Sequence, residues 1–105
     1  MISREWSCRC APANADRYEQ MLLTEILPEL DQVEGCRGAY VFRRDVGDEV
    51  EFVVLHLFDS LDAIRAFAGA DYETAVVPEP ARAVLTSFDP VARHFDVRAE
   101  PDSAR

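Results

Sequence analysis

The sequence predicts an α+β fold of ferredoxin-like βαββαβ order, an antiparallel sheet with its helices on one face. Three observations carry this reading. Strand-like and helix-like apolar patterns follow one another in that order along residues 1–98. Right-handed crossovers place the first and third strands side by side in the middle of the sheet. Several strands carry apolar or aromatic side chains on both faces, and one layer of helices covers only one of them. The other face needs a second partner, so the expectation is a half-barrel that completes itself as a homodimer.

Each element has its own warrant. From Ile2 to Cys10 the chain alternates, with Ile2, Arg4, Trp6, Cys8 and Cys10 on one face and Ser3, Glu5, Ser7 and Arg9 on the other. Pro12 breaks this strand, and Asn14 is the expected cap of a helix from Ala15 to Leu30. Tyr18, Met21, Leu22, Ile26 and Leu30 form its apolar stripe, and Pro28 should kink or re-start its last turn. The second strand, Cys36 to Asp45, sets Cys36, Gly38, Tyr40 and Phe42 against Arg37, Ala39, Val41 and Arg43. Val46-Gly47-Asp48 is the hairpin turn into the third strand, Val50 to Phe58. Val50, Phe52, Val54, His56 and Phe58 point one way there, and Glu51, Val53, Leu55 and Leu57 the other. Asp59-Ser60 caps a helix that Gly69 ends. A helical turn over 71–77, a short helix from Ala81 to Phe88 and a last strand from Val91 to Val97 complete the domain. Residues 99–105 read as a polar tail.

Composition narrows the function classes. Twenty acids against 11 bases give a net charge of −9, which disfavours nucleic acid and anionic membranes as partners. All 11 bases are Arg, so lysine Schiff-base chemistry is excluded. No apolar stretch approaches the roughly 18 residues of a membrane span, and the first residues carry no apolar signal region. The expectation is a cytoplasmic protein. Three cysteines, Cys8, Cys10 and Cys36, fit reduced thiols, and with two scattered histidines they make no metal site.

Two segments carry a resemblance. Glu34-Gly35-Cys36-Arg37-Gly38-Ala39-Tyr40 opens the second strand, and Glu51 to Ile64 runs through Phe58-Asp59-Ser60 into the second helix. Together they resemble the antibiotic biosynthesis monooxygenase superfamily. The resemblance implies a dimeric α+β barrel with a pocket in each subunit between sheet and helices. It implies two chemistries, cofactor-free oxygenation of polycyclic phenols and oxidative haem breakdown. The haem-degrading branch uses an Asn on the first strand, a Trp in the second helix and an axial His after it. Here the first strand has no Asn, Phe67 stands near the Trp, and Ala75, Val76 and Val77 replace the His. No cofactor is therefore expected.

The candidate catalytic residues are His56 and His94, the two imidazoles able to take a proton near neutral pH. Trp6, Tyr40, Phe58, Phe67 and Tyr72 are the candidate substrate-binding aromatics: Trp6 and Tyr40 to stack on a planar ligand, Tyr72 to close over the pocket. The expected function is a small cofactor-independent oxygenase of an aromatic or phenolic metabolite. The alternative is a non-catalytic dimer that binds a small molecule or serves structure. Pocket-facing histidines favour the first and outward-facing ones the second.

Overall fold

The computed structural model describes residues 1–101. The polar tail expected over 99–105 thus lies partly outside the described residues. The elements are β1 (Ile2–Cys10), α1 (Pro12–Met21), a π-helical turn (Leu22–Ile26), α2 (Leu27–Leu30), β2 (Cys36–Val46), β3 (Glu49–Phe58), α3 (Leu61–Ala68), α4 (Glu79–Arg82), β4 (Ser87–Phe88) and β5 (Arg93–Asp96).

β1 is the middle of the sheet. β3 runs antiparallel along its full length, from Ile2 opposite Phe58 to Cys10 opposite Val50. Two short strands share its other edge, β4 beside Cys8 and Arg9 and β5 beside Ile2 to Glu5. β2 lies outside β3. The adjacency of first and third strands is as the crossover argument requires, and the fold is the antiparallel α+β arrangement with helices on one face.

Register decides which side chains meet the helices. Residues directly opposite in an antiparallel pair share a face. Arg4 faces His56, Trp6 faces Val54 and Cys8 faces Phe52 on the covered side. Phe52 and Val54 are buried there with Ala15, Tyr18 and Leu22, and Phe58 is buried beside Phe67 of α3. The Tyr18 ring stands edge-on to Phe52 at 5.0 Å. Tyr18 also hydrogen-bonds Cys8, whose thiol burial pushes up to about 12. All three cysteines are free. Among the described residues no three His, Cys, Asp or Glu side chains come together.

Four expectations need correction. The first helix starts at Pro12, not Ala15, because proline fits the first helical position without losing a bond; Ala11, not Asn14, is its cap residue. The re-start expected at Pro28 is present, since α2 begins at Leu27 with the proline in its first turn, after a π-helical turn in which Leu27 N–H donates to the Leu22 carbonyl. Residues 71–77 form a turn and an extended strap rather than a helical turn, with Thr74 bridged to Val91. The helix expected over 81–88 begins at Glu79 and ends at Arg82, and Ser87 and Phe88 join the sheet instead. On β2 a bulge between Cys36 and Ala39 puts Cys36 on the face of Ala39 and Val41, opposite Tyr40 and Phe42.

Candidate functional site

A small cavity of about 50 Å³ lies between the sheet and the helical layer. Arg4 and Trp6 of β1 and Val54 and His56 of β3 form its floor. Leu22 and Ile26 from the π-turn, Phe67 from α3 and residues 75–78 of the strap form its walls. A cleft of about 290 Å³ adjoins it and shares Ile26, Leu30, Phe67, Val76 and Pro78. The lining is mostly apolar, with the polar groups of Arg4 and His56 at the floor.

Arg4 is the organising residue. It is only 4% exposed. Its guanidinium donates to the Tyr72 carbonyl, to the Thr74 carbonyl at 3.2 Å and to His94 Nε2 at 2.9 Å. Phe67 covers it, the ring centroid 5.4 Å from Cζ. Arginine has no lone pair to offer, so His94 Nε2 accepts and the His94 proton sits on Nδ1. Burial lowers the Arg4 pKa from its ordinary value, yet an arginine stays charged at neutral pH.

His56 lies directly across from Arg4 on β3. Its Nε2 is buried and has no hydrogen-bond partner among the described residues. Burial first, then the Arg4 charge, push its pKa down to about 4, so it is neutral at physiological pH. His94 is also pushed down, by burial and then by Arg4. A row of three groups therefore crosses three strands: His56, Arg4 and His94, one cation between two neutral imidazoles.

The candidate residues divide between two places. Trp6, His56 and Phe67 line the cavity. Trp6 offers its ring face there, because its indole N–H already donates to the Asp89 carbonyl at 2.7 Å. Phe58 is fully buried behind the wall, 6.1 Å from the rings of both His56 and Phe67. His94 and Tyr72 stand edge-to-face at 5.1 Å and line a separate open groove along β5. Tyr40 is not at the cavity: it lies on the uncovered face, 53% exposed and stacked on Phe42 at 6.0 Å, so it does not join Trp6. Arg4 is a site residue that the candidate catalytic and binding residues did not include. Its signal was its position on the face of Trp6, two residues away on a strand.

The family model for antibiotic biosynthesis monooxygenases matches residues 1–79. The chain belongs to the antibiotic biosynthesis monooxygenase family. A sequence search among curated proteins finds no match. Solved structures share the fold. A Deinococcus radiodurans protein assigned to this family is 15% identical, with 97% of each chain covered and a TM-score of 0.69. A Streptomyces coelicolor monooxygenase solved with nanaomycin D is 18% identical, covering 95% of this chain and 89% of its own, with a TM-score of 0.66. A Mycobacterium tuberculosis haem degrader solved with two haems in its active site is 20% identical, covering 97% and 100%, with a TM-score of 0.61. At these identities the likeness is one of fold. Proteins of this fold thus include a monooxygenase and a haem degrader. Where the resemblance places a Trp and an axial His in the haem-degrading branch, Phe67 and the strap residues Ala75 to Val77 line this cavity, and its one imidazole is His56 on the sheet.

Proposed function

We propose that this protein is a small cofactor-independent monooxygenase of an aromatic or phenolic metabolite, working as a homodimer. The observation that carries the reading is the neutral His56 at the cavity floor, its Nε2 without a partner, beside the ring faces of Trp6 and Phe67. A planar substrate enters along the apolar cleft and stacks on these rings. His56 takes the hydroxyl proton, and the electron-rich anion reacts with dioxygen. One oxygen atom becomes a ring carbonyl in place of a C–H bond. The other leaves as water, with the proton returned from His56. The phenol gives up four electrons and becomes a quinone. The apolar lining keeps bulk water from the reacting anion.

Oxygen uptake with a panel of phenols and hydroxynaphthoquinones tests this. At least one substrate should drive uptake, and His56→Ala should slow it by ~10²–10⁴, the usual contribution of a positioned base. The dimer should be unaffected. Binding of aromatic ligands without uptake by any of them would replace this reading with the non-catalytic one.

A further inference from the structure

We propose that the cavity is an anion site: Arg4 is the counter-ion for an ionised oxygen on the ligand, so the protein selects aromatic acids. The inference rests on the cavity of the preceding reading but not on turnover. Its first support is an absence of pairing that the composition makes unexpected. Acids outnumber bases 20 to 11. Six arginines, Arg9, Arg37, Arg43, Arg44, Arg65 and Arg93, each meet a carboxylate at 3.6 Å or less. Arg4 is far more buried than any of these six, and among the described residues no carboxylate pairs with it. A buried charge is costly unless an opposite charge compensates it. Two carbonyls and an imidazole hold the guanidinium in place, but all three are neutral.

The second support is independent. His56 Nε2 is buried, unpartnered and on the same cavity floor. Buried polar atoms in folded proteins are almost always hydrogen-bonded, so this one is open to a ligand atom in the cavity. An ionised oxygen satisfies both groups at once. It compensates Arg4 and accepts from the imidazole N–H. The space agrees: the inner cavity of about 50 Å³ suits the polar end of a ligand, and the cleft of about 290 Å³ suits its apolar body. Acidity agrees as well. An ordinary phenol, with a pKa near 10, lies about six units above His56 at about 4. A carboxylate, or a hydroxyl acidified by a neighbouring carbonyl, removes most of that gap. Arg4 is then the specificity-determining residue of the site.

Binding without turnover tests this, with 2-naphthoate and its neutral isostere 2-naphthamide followed by calorimetry and Trp6 fluorescence. The wild-type protein should bind the carboxylate at least about tenfold more tightly, as one charge-assisted hydrogen bond provides. Arg4→Met should abolish that preference, and Arg4→Lys should keep most of it. Should Arg4→Met fail to fold, Arg4→Gln retains donors for the Tyr72 and Thr74 carbonyls and removes the charge alone. Equal affinities in the wild type, failure of both probes to bind, or a preference that survives loss of the charge would each overturn the proposal. None of these outcomes depends on oxygen uptake. A dead oxygenase that prefers naphthoate sinks only the oxygenase reading, and an active one indifferent to charge sinks only the anion site.

Discussion

Burying His56 next to a cation gives its protonation a thermodynamic consequence. Its pKa is about 4 in the folded chain and near 6.5 unfolded, so protons favour the unfolded state between these values. The stability that His56 contributes is complete above pH 6.5 and is lost as pH falls towards 4. The loss is no more than about 3 kcal/mol for a shift of this size. Thermal melts from pH 7 to 4.5 should show a falling Tm, and His56→Phe should make the fall shallower. An identical slope in the variant would show that other groups carry it. How much of this site was legible can be read from the same residues. Strand alternation put Arg4 with Trp6 and His56 with Val54 and Phe58, and those groupings hold in the register. Alternation says which side chains share a face, but not which face the helices cover. That is why Tyr40 was grouped with a pocket it does not reach. The isolation of Arg4 from acids was not legible either, because its partners come from residues 72–94, which sequence distance hides.

Among the elements, β1 and α3 were read correctly, and those held by tertiary contacts were not. β1 carries its expected bounds, and α3 runs from the Ser60 cap, whose hydroxyl accepts from Ala63 N–H at 3.2 Å, to Gly69. The segment after α4 has helix-forming residues, but the second edge of β1 is open there. Thr86 N–H donates to the Arg9 carbonyl at 2.9 Å, and sheet pairing overrides local propensity. The strap over 72–75 is likewise fixed from outside, by Arg4 and by Ala92 N–H donating to the Glu73 carbonyl at 2.7 Å. Two glycines in the β2 entry separate packing from backbone strain. Gly35 and Gly38 both have positive φ, 87° and 100°. A Cβ on Gly35 would stand 2.6 Å from the Ala63 Cβ of α3, whereas one on Gly38 meets nothing within 4 Å. Gly38→Ala should therefore cost about 1 kcal/mol, the backbone penalty alone. Gly35→Ala adds overpacking and should cost about 2–4 kcal/mol, loosening α3 from the sheet. Urea denaturation of the two variants measures both, and equal losses would mean that the α3 contact yields without strain.

At the scale of the whole molecule the sheet has one covered face and one bare face. The bare face carries Tyr40 and Phe42 of β2, Val53, Leu55 and Leu57 of β3, and Phe95 of β5. Tyr40, Phe42 and Phe95 are 53%, 50% and 47% exposed, far from what buried aromatics show. Monomers seldom leave so contiguous an apolar patch in water. Among the described residues no helix is long and apolar enough to cross a membrane, so a bilayer-spanning helix there does not account for it. At a net charge of −9 two copies repel unless apolar contact outweighs the repulsion. A second copy presenting the same face about a two-fold axis would supply that contact, because an isologous interface needs only self-complementarity. Sheets packed face to face bury alternate residues of each strand, which are the ones left bare here. Leu55 sits at the middle of the patch, between Glu5 and Tyr40 in the register. Leu55→Glu should bury a carboxylate in that interface beside Glu5. Sedimentation velocity at micromolar concentration should find a dimer for the wild type and a monomer for Leu55→Glu. The substituted side chain points away from the cavity, so the monomer should retain its fold and its affinity for aromatic ligands. A wild-type monomer under those conditions would refute the closed barrel and leave the aromatic face without an explanation.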